Sequence, residues 1–235
     1  MRNKLFLEIE KELKDNVDLE YKAGAKRYFK EKIVIYGVRT PIVRKISAKY
    51  FQKVKDLDKK QIFKLCEELL MLGYGEYRTI AFSWAGRLKK DYDKSDFITF
   101  ERWLKKYVSN WGACDSFCTG AFGELIVQYP ELIPRVKKWN NSKNRWLRRA
   151  SAVIFIPLAK EKKYLSHIFQ TADKLLMDSD DLVQKGYGWM LKITSDSYQK
   201  QVFDYVMSQK HRMPRTSLRY AIEKMPKNLK QKAMS

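Results

Sequence analysis

Two residues that could act together, a tryptophan and an aspartate, stand four apart in the stretch NWGACDSF (110–117). At this spacing Trp111 and Asp115 share one face of a helix. A carboxylate fixed at a surface can stabilise a cation and orient a water molecule, and an aromatic ring attracts cations as well. Taken singly, an aspartate four residues after a tryptophan is usually a helix cap or a surface residue, so the pair needs support from the rest of the chain.

The overall charge makes a lone carboxylate at such a position unexpected. The chain has 48 Lys and Arg residues against 27 Asp and Glu residues, a formal net charge of +21. A surplus of this size attracts polyanions, either nucleic acid or an anionic membrane surface. The basic residues are spread along the whole chain and no lipid-anchor signal accompanies them, which favours nucleic acid. A highly charged, solvated surface with no polyanionic partner is the alternative explanation.

Further candidate site residues are aromatic and basic side chains at similar positions of several predicted helices. They are Trp146, Arg148, Arg149, Lys185 and Trp189. Most tryptophans at helical spacing belong to a core, and that is the expectation for Trp84, Trp103, Trp139 and Trp146. By themselves, Arg148 and Arg149 would be an ordinary solvated face.

The elements that must position these residues are predicted to be helices. Apolar residues recur at i, i+3 and i+4, and the chain contains only 10 Gly and 6 Pro residues. The clearest patterns are LFLEIEKEL (5–13), TPIVRKISAKYFQKV (40–54), KQIFKLCEELLML (60–72) and YRTIAFSWAGRLKK (77–90). Thr40 is predicted as the N-cap of its helix, with Pro41 in the first turn. The strand-like KIVIYGV (32–38) is short and isolated, which indicates an extended loop.

A weak repeat organises these helices. Arg78, Cys114, Arg149 and Lys185 fall near the starts of four helices, at successive separations of 36, 35 and 36 residues. A further helix starts near Arg215 or Thr216. Helices that start with polar residues or proline, such as DFITFERWLKKYV and PELIPRVKKW, are predicted between these. A period near 36, with one helix pair per repeat, is typical of an α-solenoid. The sequence therefore predicts one all-α domain over residues 1–235, with a superhelical curve and a concave basic groove.

Metal and cofactor chemistry is not supported by the motifs present. Cys114 and Cys118 lack accompanying ligands, His167 and His211 are isolated, and buried thiols explain the two cysteines better. No P-loop or nucleophile elbow occurs, and GYGW (186–189) lies within a helical pattern. We predict no metal and no cofactor.

Composition also bears on where the protein works. The first residues, MRNKLFLEIEKELK, have no uninterrupted apolar core, so no secretory signal is predicted. The longest apolar run (150–159) is about half a membrane span and contains Pro157. Three cysteines are too few for a disulfide scaffold and indicate reduced thiols. The expectation is a soluble cytoplasmic protein.

Four motifs carry a resemblance to a known family. GVRTPIVR, the W-x-x-x-D of WGACDSF, NRWLRRASA and VQKGYGWMLK resemble segments of the bacterial DNA alkylation repair proteins with HEAT-like repeats, the AlkC/AlkD-type DNA glycosylases. The resemblance extends from about residue 27 to residue 226. It implies stacked HEAT-like helical pairs whose concave face holds duplex DNA. It also implies excision of cationic N-alkylated purines such as 3-methyladenine and 7-methylguanine, which the AlkD type performs without drawing the base into a pocket.

The resemblance also implies roles for individual residues. The matching positions for the catalytic group are Trp111, Asp115, Arg149 and Trp189. We predict DNA contacts at or beside the matching motifs, from Tyr28, Arg39, Thr40, Arg44, Arg145, Arg148, Lys185 and Lys192. The expected partner is duplex DNA with alkylated bases, or branched DNA, bound by a monomer. The protein is expected to be associated with the nucleoid when bound.

The chain departs from the family pattern at two places. Gly112 follows the first site tryptophan, where relatives often carry Asp, and Lys192 stands where the AlkD type has an arginine. These changes bear on activity more than on fold or DNA binding. Because related paralogues bind branched DNA without glycosylase activity, a non-catalytic binder of branched or damaged DNA is the alternative function. A protein–protein scaffold is a third reading, and it explains the charge of +21 poorly.

The excision of cationic purines explains why a carboxylate would stand on a basic surface. A purine alkylated at N3 or N7 is already positively charged, so it leaves without a proton from a general acid. As the C1′–N bond breaks, the sugar becomes oxocarbenium-like, and a preorganised carboxylate can stabilise it. Asp115 would supply that carboxylate, and Arg149 would hold a flanking phosphate.

Overall fold

The chain folds into α-helices joined by short turns. The computed structural model describes the backbone of residues 2–235 and the side chains of residues 4–235. No strand occurs within this described part, which confirms the predicted all-α class. None of the helices between residues 2 and 235 has both the length and the apolar character needed to cross a bilayer.

The helices form two compact units, Met1–Ala121 (unit 1) and Phe122–Ser235 (unit 2), which are described separately. The helices up to the boundary are α1 (Arg2–Asp15), α2 (Leu19–Tyr28), α3 (Thr40–Phe51), α4 (Lys59–Met71), α5 (Gly75–Arg87), α6 (Asp96–Tyr107) and α7 (Trp111–Thr119). The helix α8 (Ala121–Gln128) starts at the boundary. The single-domain assignment for residues 1–235 stays a prediction.

The helices of unit 2 are more uneven in length. After α8 they are α9 (Ile133–Lys137), α10 (Arg145–Val153), α11 (Phe155–Lys160), α12 (Leu165–Leu175), α13 (Asp181–Gln209), α14 (Arg215–Ala221) and α15 (Lys227–Met234). The long α13 is interrupted at Tyr198, where φ is −131° and ψ is 48°. The segment PELIPRVKKW, predicted as one helix, is a 3-10 turn, the short α9 and a second 3-10 turn.

The repeat seen in the sequence is present in the helices. The first helices of successive pairs, α3, α5, α7, α10, α13 and α14, begin at residues 40, 75, 111, 145, 181 and 215. Arg78 is the fourth residue of α5 and Arg149 the fifth of α10, so the two arginines occupy similar places in their repeats. One local prediction was wrong: Thr40 is the first helical residue, and Arg39 is the N-cap. The backbone takes its helical conformation one residue earlier than predicted.

The extended loop of residues 32–38 is fixed by one buried carboxylate. Glu76, which is 4% exposed, accepts hydrogen bonds from the backbone N–H groups of Tyr36 (3.1 Å), Gly37 (2.9 Å) and Val38 (3.1 Å). Gly37 has φ +102°, and a Cβ there would lie 2.6 Å from Cβ of Lys22. Buried backbone donors need partners, so this carboxylate replaces a strand neighbour and holds the loop against α5.

The core of unit 1 is aromatic. Trp84 and Trp103 are fully buried, and the Trp84 indole donates to the Ser47 carbonyl at 2.9 Å. Phe82 and Phe117 stack with their ring centroids 4.1 Å apart and 9° between their planes. Each fully buried large apolar side chain contributes about 1.5–3 kcal/mol, so these rings fix the spacing of the helices.

In unit 2 the helices α13 and α14 pack closely at Gly188. A Cβ on Gly188 would lie 2.7 Å from Cβ of Tyr220 and 2.9 Å from the Ser217 carbonyl oxygen. The neighbouring Tyr187 hydroxyl donates to the Leu176 carbonyl at 3.1 Å and bonds the Ser217 hydroxyl at 2.5 Å. The GYGW segment is therefore a packing motif inside a helix, as the sequence pattern predicted.

Candidate nucleic-acid interface

The six tryptophans divide into buried and accessible groups. Four are at most 8% exposed, as predicted for the core: Trp84, Trp103, Trp139 and Trp146. Trp111 and Trp189 are half-buried, so part of each ring can meet a ligand. The two tryptophans assigned to a site are therefore the accessible ones.

In unit 1, Trp111 belongs to an aromatic patch formed with Tyr28 and Phe29. The Trp111 and Phe29 rings stack, with centroids 5.2 Å apart and 24° between planes. Tyr28, which is 70% exposed, meets Trp111 edge-on at 5.7 Å. The structure thus brings together two predicted site residues, Tyr28 and Trp111. Sequence reasoning missed Phe29, although its position directly after Tyr28 was a usable signal.

The short helix α7 presents Asp115 beside this patch. Its buried side includes Cys114, Phe117 and Cys118, all 0% exposed. Trp111 and Asp115 lie on the other, half-buried side, one helical turn apart. The predicted common face of these two residues is therefore partly accessible, with the buried thiols behind it.

A cleft of about 280 Å³ adjoins the aromatic patch within unit 1. Phe29 and Gly112 belong to both its lining and the surroundings of the patch. Thr40 and Arg44, two predicted DNA contacts, line the cleft and are exposed. Arg78 lines it as well, and sequence reasoning had singled out Arg78 only as a repeat marker.

Arg39, the fourth predicted contact of unit 1, is exposed and already has a partner. Its Nε donates to Oδ2 of Asp18 at 2.8 Å. Two hydrogen bonds hold the pKa of Asp18 below its ordinary value: the larger effect comes from the backbone N–H of Tyr21, and the next from this guanidinium. The pair lies at the surface, where a phosphate competes readily with a carboxylate for an arginine.

In unit 2, Arg149 is a buried residue. It is 5% exposed, and its Nη1 donates to the Leu182 carbonyl in the first turn of α13. A Cβ on Gly186 would lie only 3.2 Å from Cγ of Arg149, so the arginine stem fits over that glycine. These contacts join α10 to α13.

Two neighbouring arginines, Arg145 and Arg148, form ion pairs with the turn that precedes α13. Nε of Arg145 lies 2.7 Å from Oδ2 of Asp180, and the guanidinium covers the Trp146 ring at 5.0 Å. Nε of Arg148 donates to Oδ2 of Asp178 at 2.6 Å. Asp178 and Asp180 also accept backbone N–H bonds in that turn, so the arginines help to fix its shape.

Three predicted residues follow one face of α13. Lys185, Trp189 and Lys192 are spaced i, i+4 and i+7, which brings them to one side of the helix. Lys185 pairs with Asp181 at 3.1 Å, and Lys192 pairs with Glu223 at 2.9 Å. The four predicted cationic contacts of unit 2 thus each have a carboxylate partner.

The predicted catalytic set is divided between the units. Trp111 and Asp115 belong to unit 1, and Arg149 and Trp189 belong to unit 2. That the four side chains line one concave surface stays a prediction. Both units are basic: unit 1 has 26 Lys and Arg against 17 Asp and Glu residues, and unit 2 has 22 against 10.

Solved structures with a similar fold include two with repair-related names. A predicted DNA alkylation repair enzyme from Enterococcus faecalis matches 90% of this chain and 98% of its own, with a TM-score of 0.80 and 17% identity. AlkD2 from Streptococcus mutans matches 77% of this chain and 89% of its own, with a TM-score of 0.60 and 21% identity. Protein smu.31 from Streptococcus mutans UA159 matches 79% and 97%, with a TM-score of 0.58 and 21% identity.

At these identities the similarity supports the fold alone. No individual curated protein sequence matches the chain. The sequence profile described as DNA alkylation repair enzyme, however, matches residues 9–225, which is most of the chain. By this match, and in agreement with the four motifs quoted above, the chain belongs to the DNA alkylation repair enzyme family.

Proposed function

We propose that the protein is a DNA glycosylase that excises cationic N3- and N7-alkylated purines from duplex DNA. The observation that carries the proposal is the accessible face of α7, where Trp111 and Asp115 lie one turn apart. Tyr28 touches Trp111 on that face, and the chain is a member of the DNA alkylation repair family. A carboxylate beside aromatic rings can stabilise a cation. The alkylated nucleotide supplies that cation, and the basic charge of the protein attracts the DNA that contains it.

The reaction needs little from the protein beyond charge and position. The alkylated base takes the electron pair of the C1′–N bond and leaves as a neutral purine. A water molecule then adds to C1′ and loses a proton, which leaves an abasic site. Asp115 stabilises the positive sugar between these steps and orients the water. The aromatic patch adds about 0.5–2 kcal/mol of cation–π attraction per ring.

Phosphate contacts would hold the DNA in register. Thr40 and Arg44 are exposed on unit 1, and Arg39 is exposed with a surface partner. On unit 2 the proposal uses Arg145, Arg148, Lys185 and Lys192, whose carboxylate partners a phosphate would have to replace. Such contacts position DNA without reading its sequence.

A non-catalytic binder of branched or damaged DNA is the second candidate, and Arg149 favours it. The guanidinium that would hold a flanking phosphate is buried and bonded to the Leu182 carbonyl. Its burial leaves the guanidinium little surface for a phosphate. If Arg149 stays in place, the protein keeps its fold and basic surface but lacks one member of the expected catalytic group.

One assay separates these functions. Duplex DNA treated with a methylating agent is incubated with the protein, and free 3-methyladenine and 7-methylguanine are measured against spontaneous loss. We expect release above the spontaneous rate that increases with protein concentration. Binding to the same DNA with no release would support the non-catalytic function. If the protein neither binds the DNA nor releases methylpurine, the result would support a protein–protein scaffold.

The salt dependence of binding tests the DNA interface itself. We expect the affinity for duplex DNA to fall at least tenfold between about 50 and 200 mM salt, because several phosphate contacts release counterions. The measurement is a fluorescence anisotropy titration at constant pH. Affinity that is constant over this range would contradict an electrostatic DNA surface.

A further inference from the structure

The cleft of unit 1 contains an arginine that the proposed chemistry does not use. Arg78 is half-buried in α5 and lines the cleft. Among residues 4–235, the charged group that acts on it is Glu76, and no hydrogen bond to its guanidinium occurs. Burial lowers the pKa of the Arg78 guanidinium, and Glu76 offsets part of that effect. A desolvated arginine without a bonded partner is costly, and an anion would relieve that cost.

The carboxylate of Glu76 does not fill this role. Its two oxygens accept the three backbone N–H bonds that hold the extended loop. Arg78 is therefore beside a carboxylate that is already engaged. Arg78 lines the cleft without a protein acceptor for its guanidinium among residues 4–235.

The rest of the lining is also suited to an anion. Lys32 and Arg44 are exposed and line the cleft together with Arg78, so three basic residues face the single carboxylate of Glu76. The α7 helix starts at the cleft, with Gly112 in its first turn, and its N-terminal dipole adds positive potential. Because Gly112 has no side chain, nothing negative projects from that turn.

The volume of the cleft and the apolar part of its lining restrict the class of ligand that it can hold. A volume of about 280 Å³ exceeds that of a single ion and lies near the lower limit of small-molecule pockets, which is roughly 300 Å³. Phe29, Ile33 and Val43 form apolar walls beside the cationic part. Such a cleft fits a phosphate group together with part of an attached sugar.

From these observations we infer that the unit 1 cleft is a phosphate-binding pocket in which Arg78 is the central ligand. It takes a phosphoryl group attached to a nucleotide, either a terminal phosphate of a DNA strand or an internal phosphodiester. The inference rests on the proposed function for the identity of the partner as DNA. It assigns to Arg78 a binding role separate from the chemistry at Asp115.

Two variants test this pocket. Arg78→Gln removes the central charge while keeping a polar side chain. Gly112→Asp adds a carboxylate at the cleft, and a Cβ there would meet its nearest neighbours at an ordinary 3.5 Å. The matched control is Arg87→Gln, which removes an exposed arginine from the same helix outside the cleft.

The probes are inorganic phosphate and two short duplexes that differ only in a 5′-phosphate or 5′-hydroxyl. Phosphate binding is followed by titration calorimetry at fixed ionic strength, and duplex binding by anisotropy. We expect Arg78→Gln to weaken phosphate and duplex binding by about fivefold or more, and Gly112→Asp to weaken the binding of inorganic phosphate through charge repulsion. Arg87→Gln should stay within about twofold of the parent protein.

The two duplexes identify the source of the phosphate. A preference for the 5′-phosphorylated duplex that disappears in Arg78→Gln would assign a terminal phosphate. Equal binding of both duplexes, reduced equally by Arg78→Gln, would assign an internal phosphodiester. Parent-like binding by both cleft variants, or an equal loss in Arg87→Gln, would overturn the inference.

Failure of this inference is distinguishable from failure of the proposed function. Arg78-dependent phosphate binding without release of methylpurine would overturn only the glycosylase activity. Methylpurine release with phosphate binding unaffected by Arg78→Gln would overturn only the pocket.

Discussion

Arg78 in unit 1 and Arg149 in unit 2 occupy similar places in their repeats, but their surroundings differ. Arg149 is buried and donates to the Leu182 carbonyl of the next repeat helix. Arg78 lines an open cleft with no hydrogen-bonded partner among residues 4–235. The same residue type at one repeat position thus joins helices in one unit and is available to a ligand in the other.

The difference extends to the neighbouring basic residues. In unit 2, Arg148 bonds Asp178, whose side chain is only 9% exposed. In unit 1, Arg44 is exposed at the cleft. A phosphate that approaches a paired basic residue must first displace the internal partner of that residue. It would meet Arg44 and Arg78 of unit 1 without displacing a carboxylate of residues 4–235, whereas it would have to displace one to reach Arg148 of unit 2.

The largest effect is expected from the substitution that tests the chemistry of unit 1. Asp115→Asn is nearly isosteric and removes the charge that stabilises the sugar cation. Methylpurine release should fall by roughly 10²–10³-fold, while DNA affinity holds or rises slightly because repulsion of phosphates is reduced. Release and affinity are measured on the same samples.

The control for this substitution is Asp91→Asn, at an exposed position of the same unit. It should leave both release and affinity unchanged. A folded Asp115→Asn protein that no longer binds DNA would show that Asp115 is structural. Methylpurine release by Asp115→Asn at the rate of the parent protein would show that the carboxylate has no part in the mechanism.

The next effect concerns stability and compares the two arginines directly. Arg149→Met leaves the Leu182 carbonyl without its charged donor, which should destabilise the protein by about 1.5–3 kcal/mol. Arg78→Met should not lower stability, because no internal hydrogen bond is lost and a desolvated charge is removed. Thermal unfolding followed by circular dichroism measures both. Equal losses of stability would contradict the assigned difference.

Two glycines give a smaller contrast between the units. Gly188→Ala places a Cβ 2.7 Å from Tyr220 Cβ in the α13–α14 contact and should cost about 1–3 kcal/mol. Gly24 in α2 has open space around its Cβ position. Gly24→Ala should therefore stabilise the protein by about 0.5–1 kcal/mol through helix propensity. Denaturant titrations of both variants measure the two free energies of unfolding. A neutral Gly188→Ala would contradict the close packing.

The smallest effect is a pH dependence within unit 1. The hydrogen bond from Lys59 at 2.6 Å, with that from Ser95, lowers the pKa of Asp93 to about 2. A lowered carboxyl pKa contributes stability above its unfolded value, about 3.9, and that stability is lost as pH falls towards 2. Asp93→Asn should slightly flatten the stability curve between about pH 4 and pH 2.

The control for this acid titration is Asp56→Asn, which removes another exposed carboxylate. Because the Asp93 side chain is 57% exposed, solvent screens its ion pair and the effect is small. Thermal unfolding at closely spaced pH values provides the measurement. An unchanged slope in Asp93→Asn would show that the Lys59 pair contributes nothing to acid stability.

Much of the fold could be predicted because burial imposes a period on the sequence. The helices α4 and α5 were predicted to within a few residues, since their buried residues recur every third or fourth position. The helix α2 has no buried residue, so it left no such pattern and escaped prediction. The short α9 was overestimated because an apolar pattern does not reveal 3-10 turns.

Part of the candidate site could also be predicted. Trp111 was separated from the core tryptophans by its motif, and the structure leaves it accessible against Tyr28. Phe29 and Arg78 were missed as site residues, because their contribution depends on a cleft between segments distant in sequence. The periodicity of apolar residues predicts which face of a helix is buried. It does not predict which distant segment packs against that face.

The sequence by itself determined the charge surplus, the helical repeat and the family, since each depends on residue types and their order along the chain. Only the tertiary structure decided which basic residues are engaged. Arg149 meets Leu182, 33 residues later, and the loop at Tyr36 meets Glu76, 40 residues later. Hydrogen bonds and burial depend on such distant contacts, so two arginines alike in repeat position differ in the partners that folding brings to them.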